Sequence, residues 1–236
     1  MLARIFEAGW MCSDRLSPRP FKYAPPLGMP EVVFRDDSFL VLDKPAGLLT
    51  VPGRGAQHED CLASRVQAQY PAARVVHRLD LATSGLVVMA IGREMERRLS
   101  IAFQQRLVGK RYIAVVSGAL PAEQGSVDLP LIADWPNRPR QKVDLELGKP
   151  SVTQYSVLAY DSTSRISRVE LRPLTGRSHQ LRVHMMAIGH PVLGDELYAN
   201  DAVRDAAPRL LLHAAGLVIQ HPLDGRLLSF AVEPPF

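Results

Sequence analysis

Val75-Val76-His77-Arg78-Leu79-Asp80-Leu81-Ala82-Thr83-Ser84-Gly85-Leu86-Val87-Val88-Met89-Ala90 sets a histidine, an arginine and an aspartate between an apolar approach and an unbroken apolar run. A short run of this kind, rich in valine and entered through Thr-Ser-Gly, reads as a buried strand. The polar trio therefore belongs at the edge of a buried sheet, where rigid elements tend to present catalytic groups. Taken as residues alone, Asp80 has two readings, a catalytic carboxylate or an ordinary turn or capping residue.

Working outward, Val32, Val33 and Phe34, a turn at Asp36 and Asp37, and Phe39 to Leu42 predict a β-hairpin. Leu62, Val66 and Tyr70 recur at helical spacing, as do Met95, Leu99, Ala102 and Phe103, the second set with Arg97 and Arg98 on its exposed side. Leu86 to Ala90, Tyr112 to Val116, Val152 to Leu158, Val169 to Leu171, Leu210 to Leu212, Leu217 to Ile219 and Leu228 to Val232 read as short strands between Gly, Pro and Asp clusters. After the turn Thr175-Gly176, Ser178 to Ile188 places Leu181, Met185 and Ile188 on one stripe and stops at Gly189. His179 and Arg182 are then neighbours beside that stripe. The pattern predicts an α+β domain with a large mixed, mostly antiparallel sheet flanked by helices, spanning residues 29–236. Residues 1–28, with Pro18, Pro20, Pro25 and Pro26 and no periodic apolar face, predict an extended N-terminal arm.

Composition narrows the function. With 47% hydrophobic residues the chain can bury a real core, and 28 basic against 24 acidic side chains suit a polyanionic partner without demanding one. No apolar run approaches the roughly 18 residues of a membrane span, and Arg4, Glu7 and Asp14 break up any leader, so a cytoplasmic protein with no membrane partner is expected. Cys12 and Cys61 fit neither a disulfide framework nor a zinc ribbon. His179, His184 and His190 do not share one helical face, so no metal site is expected.

Several ordered segments resemble the RluA family of pseudouridine synthases. They are Asp43-Lys44-Pro45-Ala46-Gly47-Leu48 with Val51-Pro52-Gly53; His77-Arg78-Leu79-Asp80 with Thr83-Ser84-Gly85; Lys110-Arg111-Tyr112; Pro173 to His184; Gly189 to Asp195; and Arg209 to Ala214. Asp128 to Leu131 and Asp134-Trp135-Pro136-Asn137-Arg138-Pro139 are similar to the subfamily of dual specificity, which acts on 23S rRNA and on tRNA. The resemblance implies the pseudouridine synthase fold with a central RNA-binding cleft, no cofactor, and hairpin loops of 23S rRNA and the tRNA anticodon arm as partners of a monomer. It also implies no S4 RNA-binding domain, for which the arm has no room, although the arm is longer than the subfamily leads one to expect.

The same resemblance makes Asp80 the essential carboxylate, Arg182 its cationic partner and Tyr112 the active-site tyrosine. Isomerisation breaks the N1 glycosidic bond, turns the uracil and rejoins it through C5, so a carboxylate near the anomeric carbon can serve as nucleophile or base. The target base must leave its stack, and the resemblance makes Arg78 the residue that supports the flipped state, the alternative readings being a phosphate contact or a solvated loop arginine. His77 and Arg177 join the expected RNA contacts, and His77, His184 and His213 also read as hydrogen-bonded structural residues. Arg138, Arg140 and Lys142 follow a Trp-Pro turn and read as a phosphate-binding loop or as an ordinary solvated one. An RNA-binding protein without turnover and a metal-dependent hydrolase are the rival classes; the intact Asp80, Tyr112 and Arg182 argue against the first.

Overall fold

The computed structural model describes residues 22–236. Asp36 closes the first hairpin, its Oδ1 accepting the amides of Ser38 and Phe39, and joins β1 (Glu31–Arg35) to β2 (Phe39–Lys44). There follow α1 (Leu62–Gln69), β3 (Ala73–Val75), β4 (Ser84–Ile91), α2 (Gly92–Gln104), β5 (Gly109–Ser117), β6 (Gln124–Asp128), β7 (Leu131–Ala133) and β8 (Gln141–Val143). The chain continues through β9 (Val152–Asp161), β10 (Ile166–Pro173), α3 (Gln180–Ala187), α4 (Asp201–Asp205), β11 (Leu212–Gln220) and β12 (Leu227–Ala231).

Ten strands form one sheet, with the path β1-β2-β4-β11-β5-β10-β9-β6 and with β12 and β3 beside β11 and β4. Only β4 and β11 run parallel; the other ladders are antiparallel. The predicted α+β fold with a mixed, mostly antiparallel sheet is therefore found.

The unbroken apolar character of β4 has a plain cause: both of its faces are covered. Leu86, Val88 and Ala90 pack with Phe39, Val41, Met95 and Leu99 on the α2 side. Val87 and Met89 pack with Leu40, Leu42, Leu62 and Val66 on the α1 side. Each large side chain so buried contributes about 1.5–3 kcal/mol. A third core joins β5 and β10 to Leu181 and Met185 of α3, and Tyr112 packs against both this core and the α1 core. That puts Tyr112 at the seam between the two halves of the molecule.

Two glycines set the approach of the site loops. Gly85, at φ 110°, lies against the backbone of Ala214, where a Cβ would collide, so the start of β4 can pair with β11. Gly194, at φ 73°, lies closer still to the carbonyl of Arg209. Both need the conformational freedom that only glycine has.

The hairpin, α1, α2 and α3 stand where the sequence predicts, with ends shifted by a few residues. One expectation is corrected: Leu210 to Leu212 and Leu217 to Ile219 are not two strands. Leu212–Gln220 is a single strand whose register against β5 breaks between His213 and Gly216. The small and polar residues His213-Ala214-Ala215-Gly216 read as an interruption, yet His213, Ala214 and Ala215 are buried in the sheet. The predicted arm lies mostly outside the described residues. Its described end is tied down, since the Tyr23 hydroxyl donates to the carbonyl of Asp60 and the Arg65 guanidinium donates to those of Pro26 and Gly28. Among the described residues no helix is long and apolar enough to cross a membrane.

Candidate active site

The loop that carries Asp80 is pinned on both sides of it. Leu79 is buried, and its amide and carbonyl both bond the hydroxyl of Thr50. Leu81 presents its carbonyl to the amide of Gly47 and to the amine of Lys44. Lys44 is itself fully buried and also donates to the carbonyls of Pro45 and Leu48. Burial pushes its pKa down to about 7, against the pull of the nearby Asp80 charge. With its neighbours fixed, Asp80 projects a partly exposed carboxylate that accepts no hydrogen bond among the described residues.

Helix α3 supplies the cation. The side chain of Gln180 anchors the helix start: Oε1 accepts from the Thr175 hydroxyl and the Arg177 amide, and Nε2 donates to the Val152 carbonyl and to Thr153. The same first turn brings in Arg182, almost wholly buried, with Nη1 3.5 Å from Asp80 Oδ2. The expected pairing with Asp80 is present, but the tighter partner is Asp195. Arg182 Nε and Nη2 donate to the two oxygens of Asp195 at 2.8 and 2.6 Å, a bidentate pair. Burial opposes the guanidinium charge, and Asp195 first, then Asp80 and Tyr198, together hold the group above its ordinary pKa. Asp195 is fixed in turn by the amides of Leu197 and Tyr198 and by the tight turn at Gly194.

Tyr112 reaches the site from β5. Burial first and the Asp80 charge second keep its phenol above the ordinary range, so the hydroxyl stays protonated. Tyr198, which sequence reasoning missed, places its ring 5.1 Å from the Arg182 guanidinium and its hydroxyl 2.7 Å from His179 Nδ1. Its pKa is pushed up to about 12, chiefly by burial.

The expected RNA-contacting residues divide. Arg78 is exposed beside the site, close enough to bear on His179 electrostatically. Arg138 and Arg140 border the small β7–β8 sheet and Lys142 lies within it; Arg138 stacks over the exposed ring of Trp135, and Lys142 lies 3.5 Å from Asp144. This lobe is hung on the site, because the Gln141 amide donates to the Tyr198 hydroxyl. Arg177 sits at the mouth of the α3 turn, its Nε 3.4 Å from the Pro150 carbonyl.

Of the two readings for His77, the geometry supports the structural one. Its Nε2 accepts the Val88 amide, its ring stacks on Phe103 at 4.2 Å, and burial pushes its pKa down to about 3. His184 is likewise held between Thr153 and the Leu129 carbonyl, and His213 bonds Ser84. His179, His184 and His190 each have a different partner, and no cluster of metal-ligating side chains occurs among the described residues.

Asp195 was within reach through the chemistry of Arg182, whereas Tyr198 carries no signal in the sequence. An arginine on the flank of an apolar helix needs a carboxylate if it is buried, and Gly194-Asp195 was the nearest unassigned one downstream. Nothing local signals Lys44 as fully buried, since its three carbonyl partners come from two different loops.

The fold is that of the pseudouridine synthases. The human protein RNA pseudouridylate synthase domain containing 1 superposes with a TM-score of 0.73 at 30% identity, over 90% of this chain and 87% of that one. Human RNA pseudouridylate synthase domain containing 4 gives 0.69 at 25% identity, over 86% and 88%. The family model for RNA pseudouridylate synthase matches residues 38–187, which include Asp80, Tyr112 and Arg182. The chain belongs to that family and is an RNA pseudouridine synthase, an isomerase. It is 51% identical over 205 residues to the dual-specificity RNA pseudouridine synthase RluA of Escherichia coli strain K12, covering 87% of this chain and 93% of that protein. The protein of the same name from Pasteurella multocida strain Pm70 is 48% identical over 207 residues, with 87% and 94% covered.

Proposed function

We propose that this synthase isomerises uridines in the stem-loops of both 23S rRNA and the tRNA anticodon arm, with Asp80 as the reacting carboxylate. The observation that carries the reading is the approach of Arg182 to Asp80 at 3.5 Å from a buried, Asp195-bound position. A guanidinium held at that spacing complements the carboxylate charge and fixes its direction. Asp80 then meets the sugar as nucleophile or base, and Arg182 orients it. Tyr112 stacks on the base and offers it a neutral hydroxyl as a hydrogen-bond donor.

Arg78 supports the base pulled from the loop, and Arg138, Arg140, Lys142 and Arg177 hold phosphates around it. Trp135 with Arg138 adds an exposed stacking surface. The name of the relatives, dual-specificity, supports two substrates. Recognition of both by one cleft relies on loop shape and splayed bases.

Purified enzyme should release tritium from 5-labelled uridine in isolated hairpins of both RNAs, each at a rate within about tenfold of its full-length parent. Activity confined to one of the two, or strict dependence on an assembled ribosomal particle, would contradict the proposal.

A further inference from the structure

We propose that His179 is a positioning residue for Asp80, presenting Nε2–H to Oδ1 while Arg182 faces Oδ2, and that Tyr198 fixes the tautomer this requires. The inference rests on the reading of Asp80 as the reacting carboxylate.

The two nearest donors approach opposite oxygens of that carboxylate: His179 Nε2 lies 3.8 Å from Oδ1 and Arg182 Nη1 lies 3.5 Å from Oδ2. Neither is within hydrogen-bond distance, a spacing typical of catalytic contacts that tighten only when substrate closes the site. The tautomer is assigned from the partners of Tyr198. The Tyr198 oxygen already accepts the Gln141 amide at 2.8 Å. Its own proton has His179 Nδ1, 2.7 Å away, as its acceptor. An Nδ1 that accepts leaves the imidazole proton on Nε2, the atom facing Asp80. Burial, the largest influence on His179, favours the neutral ring, and the Asp80 charge works the other way.

The backbone shows that helix stability alone does not account for this histidine. His179 occupies the N-cap of α3 at φ 55°, a left-handed conformation that costs a non-glycine residue strain. A capping side chain would offset that by accepting from the first helical amides, but His179 makes no such bond. Its ring is turned instead to Tyr198, edge to face at 5.7 Å, and to Asp80. The same phenol holds the β7–β8 lobe through Gln141, so seating that lobe and aiming His179 share one anchor.

Asparagine and glutamine separate the two ring nitrogens. In His179→Asn the side-chain oxygen can still accept from Tyr198, and asparagine tolerates the left-handed backbone, but nothing reaches Asp80. Turnover on a hairpin substrate should fall by about tenfold or more while hairpin affinity stays within about twofold. In His179→Gln the amide nitrogen stands near Nε2 and should restore the rate to within about threefold of wild type. Tyr198→Phe frees the tautomer and should slow turnover to a value between wild type and His179→Asn. Wild-type turnover in His179→Asn, or a His179→Gln enzyme no faster than His179→Asn, would overturn the assignment. Wild-type turnover in Tyr198→Phe would remove the tautomer lock. Asp80→Asn measured alongside keeps the two readings apart. If it turns over, the carboxylate reading fails; if it is inert while His179→Asn is fully active, only the role of His179 fails.

Discussion

Arg182 meets two carboxylates, and the proposed chemistry depends on that one side chain. Its bidentate pair with Asp195 leaves Nη1 to face Asp80, so the guanidinium is aimed before substrate arrives. Lysine would keep the charge but offers a single point donor and cannot hold Asp195 through two parallel bonds while reaching Asp80. Arg182→Lys should therefore lower turnover by about a hundredfold with hairpin affinity changed by less than about threefold, measured by single-turnover tritium release and filter binding. Equal losses in rate and affinity would mean that Arg182 holds RNA rather than Asp80. That Asp80, Arg182 and Tyr112 come together was legible from the segments that resemble the family. Asp195 and Tyr198 were not given roles, because their importance lies in a turn at Gly194 that returns the chain to α3, a contact made across space and invisible to local periodicity.

The elements that hold the site differ in how clearly the sequence announces them. β4 and α2 are strongly patterned and appear where expected, whereas β6, with Val127 as its one buried residue, gives almost no apolar signal. β7 and β8 have three residues each and exist only as a pair. The Asp80 loop is stabilised from behind by His77, which accepts the Val88 amide of β4 as a neutral ring. Its folded pKa of about 3 lies below the ordinary value of 6.5. Between those values the unfolded chain binds more protons than the native one, so stability is fully present above pH about 6.5 and is lost as pH falls towards 3. In His77→Gln, which keeps an acceptor but does not titrate, the stability difference between about pH 7 and pH 4.5 should shrink by on the order of 1–2 kcal/mol after solvent screening. Urea unfolding at the two pH values measures this, and an unchanged difference would show that His77 is not buried neutral.

At the scale of the whole molecule, one ten-stranded sheet carries a core on each face of β4 and a further core under α3. The proposed catalytic groups converge at the seam: Asp80 from the loop entering β4, Tyr112 from β5 and Arg182 from α3. Such an arrangement needs all three cores to be formed before the site exists, which ties activity to global folding rather than to any one segment. The sheet class was legible because most strands are apolar and separated by turn formers. The strand order was not, since the parallel contact of β4 with β11 joins segments more than a hundred residues apart through Gly85 and Ala214. Everything assigned to the cleft depends on the carboxylate at its centre. The most direct test is tritium release from a 5-labelled uridine hairpin by Asp80→Asn, which removes the charge with almost no change of shape, together with its affinity for the same hairpin. The account predicts no measurable release with affinity within about twofold of wild type; an Asp80→Asn enzyme that turns over would contradict it.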